Sequence, residues 1–369
     1  MTTTKNALEF VTCLTLQTVS GHKVYTEVFA AINEHSTEHI SLPDWADLMI
    51  VAPATANVLG KMAHGIADDA LTTTFAAMRK PVVIAPAMND KMYQSPATQQ
   101  AIQTLSQWDN ITMLDCADGP LACGTSGKGR MQEIDVIAAA AEYALTPKTL
   151  SGKQVLITAG PTQEAIDPVR YISNASTGKM GYALVRACLC KGAAVTLVSG
   201  PTHLSLDTWK EFCPLSIHHV TSSEDMCKAI TQEFPQTDIA ILCAAVADFT
   251  PKDTADKKIK KQLGQTEMCV ELKTTTDIAA TLGKTKTAKQ QLVGFALETH
   301  DELANAERKL QSKNLDMIIL NSLQDKGAGF GVDTNKVTIL HKNGTKNNLP
   351  LLSKQEVAES IIDAIIEHQ

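Results

Sequence analysis

Continuous apolar runs alternate with stretches of helical spacing along the whole chain. In the first part the runs are "ADLMIVAPA" (46–54), "PVVIAPAM" (81–88) and "ITMLD" (111–115); helices are predicted around them, the first over 5–19 and the last over 132–144. After the Pro/Ser/Gly-containing link "LTPKTLSGK" (145–153) the pattern restarts, with runs at 154–160, 193–200, 238–246, 291–297, 316–321 and 336–340. Helical spacing there covers 178–191, 223–234, 277–283, 301–313 and 353–367. Strands that are apolar on both faces and alternate with helices belong to parallel sheets covered on both sides. The expected class is therefore α/β, with two doubly wound, Rossmann-like parallel-sheet domains over residues 1–146 and 150–369. A chain of 369 residues is also longer than one core usually grows.

In open α/β sheets, ligands bind beyond the carboxyl ends of the strands. The loops to search are "APATANVLGK" (52–61), "PAMNDKMY" (86–93), "AGPTQEAIDPVRYISNASTGKMG" (159–181), "AAVADF" (244–249) and "GFALETH" (294–300). They are rich in Asn, Thr, Asp and Pro.

Composition narrows the chemistry. The chain is 44% hydrophobic and 20% charged, with no apolar run near the roughly 20 residues that span a bilayer. A net charge of −7 argues against nucleic acid, which leaves small molecules as the expected partners. Nine scattered cysteines, with no recognisable signal peptide, point to a reduced, cytoplasmic setting; no C-x-x-C spacing suggests zinc. Neither a P-loop nor a G-x-G-x-x-G fingerprint is present.

Several residues admit two readings. His39, in "TEHISLPDWADL", suits proton transfer or a plain surface or core position. Asparagines follow strand and proline in "PATAN" (53–57) and "PAMN" (86–89), where Thr55, Asn57 and Asn89 either cap helices or bind a ligand. Cys123, in "ADGPLACGTSGKGRM" (117–131), is either a small buried hydrophobe or a thiol on a mobile glycine-rich flap, where Lys128 and Arg130 would lower its pKa. "DKKIKK" (256–261), with Lys309 and Lys313 at i, i+4 and Asp248 after a strand, is either a solvated face or a clamp for a nucleotide triphosphate.

Taken in order, "HI" (39–40), "WADLMIVAPATAN", "GIADDALTT", "PAMNDKMY", "ACGTSGKGRM", "TAGPTQEAIDPVRYISNASTGKMG", "AAVADF", "KIKK", "GFALET" and "KNLD" resemble the bifunctional bacterial coenzyme A biosynthesis family. In that family a phosphopantothenoylcysteine decarboxylase is fused to a phosphopantothenate–cysteine ligase. The resemblance covers essentially the whole chain.

It implies that the first domain is a flavodoxin-like FMN decarboxylase, with Ala54, Thr55, Asn57 and Thr72 at the cofactor. Oxidation of the substrate thiol to a thioaldehyde would let carbon dioxide leave, and the product is 4'-phosphopantetheine. His39 is then assigned to decarboxylation, Asn89 to the substrate carboxylate and Cys123 to proton donation in the final reduction. The second domain is implied to activate 4'-phosphopantothenate with CTP and Mg2+, giving an acyl cytidylate that L-cysteine attacks. Asn174 and Lys258 match the residues that handle this intermediate. Arg170, Asp248, Thr276, Asp277, Ile278, Ala279, Phe295, Lys309 and Lys313 match CTP- and substrate-contacting positions. A homo-oligomer built on trimer and dimer contacts, up to a dodecamer, is implied as well.

Two departures qualify the resemblance. "TTTDIA" (274–279) lacks the Asn-Pro or Thr-Pro usual before the aspartate of the nucleotide loop. Family members also begin with a further strand and a Gly-rich loop, whereas this chain starts at "MTTTKNALEFV". On that reading the first domain lacks its first strand and half the flavin site, and an upstream in-frame extension is expected. The alternatives are a ligase with an inactive decarboxylase-like domain, or a non-catalytic flavoprotein-like regulator.

Overall fold

Every apolar run forms a strand in the computed structural model, which describes residues 1–28, 38–121, 124, 126–261, 266–298, 300–322, 329 and 331–368, with backbone alone at 38, 39 and 322. The chain divides into two units, Met1–Thr146 and Pro147–Gln369. No helix among the described residues is long and apolar enough to cross a membrane.

In the first unit, β1 (Met49–Ala54), β2 (Val82–Pro86) and β3 (Ile111–Met113) form a parallel sheet in that order. The helical segments are α1 (Cys13–Ser20), α2 (Glu38–Trp45), α3 (Ala56–Ala63), α4 (Ala70–Ala77), α5 (Asp90–Gln94), α6 (Pro96–Ser106) and α7 (Ile134–Leu145). Val58, Leu59 and Met62 of α3 and Ala101 and Leu105 of α6 bury one stripe each against Val51, Val82 and Ile84. The single helix predicted over 5–19 is instead a short 3-10 turn at Lys5–Glu9 followed by α1. The break has a local cause: Thr12 adopts an extended conformation and caps α1, its hydroxyl accepting from the Thr15 N–H at 3.1 Å. Past β3, β4 (Ala117–Pro120) and β5 (Ser126–Arg130) pair as an antiparallel hairpin.

The second unit carries β6 (Gln154–Ala159), β7 (Gln163–Ala165), β8 (Tyr171–Ser173), β9 (Ala194–Ser199), β10 (Leu215–His219), β11 (Ile239–Leu242), β12 (Phe249–Pro251), β13 (Leu272–Thr274), β14 (Gln291–Glu298), β15 (Met317–Ser322), β16 (Thr334–Asn335), β17 (Val337–His341), β18 (Lys346–Asn348) and β19 (Leu352–Ser353). Its helices are α8 (Lys179–Cys190), α9 (Asp207–Lys210), α10 (Ser223–Glu233), α11 (Ile278–Thr285), α12 (Glu302–Ser312) and α13 (Lys354–Glu367). The main sheet runs β10-β9-β6-β11-β14-β15-β17-β18. Its first six strands are parallel, and their chain order outward from β6 is the doubly wound 3-2-1-4-5-6 arrangement. The order reverses between β6 and β11, which opens a crevice at their carboxyl ends. One apolar layer, with Leu156, Ala240, Leu292 and Ile318 from four adjacent strands, packs against α10, α11 and α12.

The sheet is not parallel throughout. β17 lies antiparallel to β15, and β18 is antiparallel to β17. The four residues between β17 and β18 are too few for a parallel crossover, which takes a dozen or more. Gly344, with φ of +88°, makes the turn.

Where β17 ends, the rings of His341 and His368 stack with centroids 3.9 Å apart. His341 is buried and its Nε2 has no hydrogen-bond partner. Burial, with the neighbouring His368, lowers its pKa below the ordinary 6.5, against a smaller opposing effect of Glu367. The folded state therefore binds fewer protons here than the unfolded chain, and stability is lost as pH falls through and below about 6.5. Thermal midpoints measured from pH 7.5 to 5.5 are expected to decline, with a shallower decline in His341→Gln. Parallel curves for the two proteins would refute this.

Candidate functional site

In the second unit, a cleft of about 620 Å³ opens at the crevice between β6 and β11. Its walls include the chain that follows β6 and β11, the 274–279 segment at the end of β13, and β14 itself. Two buried threonines lace the first two loops together: Thr158 Oγ1 accepts from the Ala244 N–H at 3.1 Å, and Thr162 Oγ1 accepts from the Ala247 N–H at 3.0 Å. The Ala245 N–H also donates to Gly160 O at 2.9 Å. Sequence reasoning passed over both threonines; a hydroxyl inside the otherwise apolar "QVLITAGPT" was the available signal.

Asn174 is held on this frame. Its Nδ2 donates to Ala245 O and Val246 O, each at 3.1 Å. Two carbonyl acceptors fix which end of the amide faces them, so the group left for a ligand is Oδ1, an acceptor. Asp248 lines the cleft one turn of chain later, and Thr275 ties the next loop to it by donating from its N–H to Asp248 O at 3.0 Å and from Oγ1 to Ala247 O at 2.7 Å. That bond brings Thr276, Asp277, Ile278 and Ala279 into the wall. Phe295 from β14 is also there, half-buried.

The cleft's cations are already engaged. Lys313 lies 3.0 Å from Asp277 Oδ2, and Lys309 donates to Glu298 Oε1 at 2.6 Å. Asp277 also caps α11, accepting from the Ala280 N–H at 2.9 Å. Burial opposes ionisation of Asp277, but the Ala280 N–H and the Lys313 ammonium outweigh it and hold the carboxyl below its usual range. Gly178 to Gly181 bring the N-terminus of α8 to the same cleft without a side-chain cap, leaving N–H groups for an anion. Gly181 admits that helix: a Cβ there would stand 2.5 Å from Ala159 Cβ. Arg170 and Lys258 are not among the residues lining the cleft. Among the described residues, no group of three or more His, Cys, Asp or Glu could hold a metal ion.

In the first unit the named residues collect at the carboxyl edge of the sheet. Ala54 ends β1, fully buried, and Ala54 O accepts from the Ala87 N–H at 2.9 Å, joining the two candidate loops. Thr55 caps α3, accepting from the Val58 N–H at 3.4 Å, and both Thr55 and Asn57 are exposed. Thr72 is buried in a capping box: its Oγ1 donates to Asp69 Oδ1 at 2.9 Å, and its N–H donates to the same oxygen. Asn89 caps α5 through Oδ1, which accepts from the Lys91 N–H at 3.0 Å. His39 falls in α2, and its side chain lies outside the described residues, as does all of Cys123.

The segment read as a flexible flap is a hairpin seated on the "PAMND" loop. The Met88 N–H donates to Gly129 O at 2.9 Å, and a Cβ at Gly129 would come within 2.2 Å of Met88 O. Gly129 therefore serves close approach of two backbones, whereas a Cβ at Gly124 would meet nothing within 4 Å. Asp115 joins the pieces, accepting from Tyr93 OH, from Lys128 Nζ and, at 2.9 Å, from the Cys116 N–H. Burial and the Asp115 hydrogen bond raise the Tyr93 pKa. Burial pushes the Cys116 thiol up to about 11, so it stays protonated at neutral pH. Lys128 and Arg130, expected to act on Cys123, pair with Asp115 and with Glu133.

Two family models match the chain in succession: Flavoprotein over residues 1–144, and the DNA/pantothenate metabolism flavoprotein C-terminal domain over residues 150–368. The coenzyme A biosynthesis bifunctional protein CoaBC of Bacillus subtilis is 51% identical over 98% of this chain and 88% of its own length. The chain belongs to this bifunctional flavoprotein family. A cysteine/cysteine sulfinic acid decarboxylase from an unknown prokaryotic organism is 47% identical over 96% of this chain and 99% of its own. Among solved structures, the C-terminal domain of a CoaBC protein is 40% identical, covering 60% of this chain and 97% of that one, with a TM-score of 0.49.

Proposed function

We propose that the chain performs two consecutive steps of coenzyme A biosynthesis, ligation in residues 150–369 and decarboxylation in residues 1–146. The observation that carries the ligase reading is the convergence of Asn174, Asp248, the 276–279 loop, Phe295, Lys309 and Lys313 on one cleft at the sheet's switch point. Five segments separated in sequence meet there, as a nucleotide and an acyl substrate require.

A carboxylate is a poor acyl donor and must be activated. The carboxylate of 4'-phosphopantothenate attacks the α-phosphorus of CTP; the phosphoanhydride bond breaks and pyrophosphate leaves with the electron pair. The amine of L-cysteine then attacks the acyl carbon and CMP departs, leaving an amide. Lys309 and Lys313 offset the charge on the departing pyrophosphate, the magnesium ion arriving with the triphosphate. The uncapped start of α8 suits the phosphate of the acyl substrate. Asn174 Oδ1, as an acceptor, suits the N–H of the incoming amine.

In the first unit the exposed Thr55 and Asn57 at the start of α3, over a buried Ala54, fit a polar cofactor such as FMN at the sheet's carboxyl edge. FMN there would supply two-electron oxidation of the substrate thiol and its return. Thr72 would act by shaping the wall, since its hydroxyl is taken up by Asp69. Asn89 would orient the substrate carboxylate, His39 would serve the decarboxylation, and Cys123 would donate the last proton.

The purified protein is expected to be yellow, to form phosphopantothenoylcysteine only with CTP and Mg2+, and to release carbon dioxide from that product. A colourless protein that ligates without decarboxylating would reduce the reading to a ligase. Carbon dioxide from free cysteine alone would favour the second relative's substrate.

A further inference from the structure

The basic segment 257–261 is exposed, and nothing in its own sequence fixes its shape. It is held from outside. The turn between β7 and β8 closes with the Ile166 N–H donating to Arg170 O at 2.8 Å. Inside that turn the Asp167 side chain is fully enclosed. Its Oδ1 accepts from the Val169 and Arg170 N–H groups, both at 2.9 Å. Its Oδ2 accepts from Arg170 Nε at 3.0 Å, from Arg170 Nη2, and from the Ile259 N–H at 3.1 Å.

Arg170 completes the grip, its Nη2 donating to Ile259 O at 2.9 Å. Both backbone groups of Ile259 are thus occupied by one ion pair 89 to 92 residues away in sequence. Two further bonds hang the approach to this point on the same hairpin: the Ala255 N–H donates to Ile166 O at 3.0 Å, and Thr254 Oγ1 to Ala165 O at 3.1 Å. The Arg170 guanidinium, assisted by the backbone N–H groups, holds the Asp167 carboxyl well below the usual range, so the grip is charged at any working pH.

We propose that Asp167 and Arg170 form a clamp that positions Lys258 through its neighbour Ile259, and that Arg170 serves the ligase by this route rather than by touching the nucleotide. The proposal rests on the reading of Lys258 as a residue of the acyl-cytidylate chemistry. A long lysine on a free loop would have to be ordered in backbone and side chain when the nucleotide binds; a pinned backbone at the adjacent residue removes the backbone share of that cost beforehand. Asp167 and Arg170 are then positioning residues: the Nε and Nη2 donors of the guanidinium are spent on Asp167 and Ile259 O, and Nη1 lies 4.0 Å from Met268 Sδ.

The test is a double-variant cycle on CTP-dependent pyrophosphate release in the full chain, with 4'-phosphopantothenate present and cysteine withheld. Lys258→Ala is expected to lose roughly 100-fold in the single-turnover rate constant for that release and Asp167→Asn roughly 10-fold or more, with the double variant no worse than Lys258→Ala alone. Arg170→Lys, which keeps a cation beside Asp167 without the fork onto Ile259, is expected between wild type and Arg170→Ala. These Arg170 variants carry the same cycle if Asp167→Asn does not fold. Hydrogen exchange at the Ile259 amide is expected to accelerate in each clamp variant. Losses that multiply in the double variant, or an Ile259 amide that exchanges at the wild-type rate in Arg170→Ala, would overturn the clamp while leaving Lys258 in place. Wild-type turnover in Lys258→Ala would overturn the proposal at its foundation instead.

Discussion

Asn174→Ala is expected to lower cysteine ligation by roughly 100-fold while pyrophosphate release in a single turnover continues. The reasoning follows from the amide's two bonds. With Nδ2 committed to Ala245 O and Val246 O, only the acceptor Oδ1 is available, and an acceptor serves the amine step rather than the anionic activation step. Quench-flow with labelled CTP separates the two. Asn174→Asp is expected to be at least as damaging, because it sets a carboxylate oxygen against two carbonyl oxygens. Equal loss in both half-reactions would assign Asn174 to activation, and wild-type ligation in the alanine variant would remove it from the site.

Gly129→Ala is expected to abolish most decarboxylation and spare ligation. The new methyl would sit 2.2 Å from Met88 O, a backbone atom that cannot swing aside as a side chain would. Overpacking of this kind costs about 1–3 kcal/mol, and an isolated hairpin has little stability of its own to absorb it. The seated population should fall by roughly 10- to 100-fold, and carbon dioxide release with it. Carbon dioxide release at the wild-type rate, with ligation as the internal control, would sink the argument.

The two expectations differ in how readable their residues were. The long apolar runs announced β6, β9, β11, β14 and β15, and the rule that ligands gather past carboxyl ends placed Asn174, Asp248 and Phe295 near one another before any coordinates. The short strands were opaque: "SGKGR" and "LKT" show neither alternation nor branched side chains, and they pair because other backbone lies beside them. Gly129 looked like mobility because a sequence records the missing Cβ but not the Met88 carbonyl that fills its place. Arg170 entered through the family resemblance, as a CTP- or substrate-contacting position, and its bond to Ile259 O was not legible. Its partner Ile259 is 89 residues away, and no local pattern signals that distance.

The ion pairs in the nucleotide cleft have a further consequence for ionic strength. A triphosphate arriving there exchanges partners with Glu298 and Asp277 instead of meeting two bare ammonium groups. Added salt weakens the resident pairs along with the incoming one, and the two effects partly cancel. On the proposed ligase reading, affinity for CTP is then expected to depend on salt less steeply than a count of the cleft's lysines would suggest. Asp277 keeps its Ala280 bond when Lys313 leaves it, so the start of α11 stays capped while the lysine changes hands.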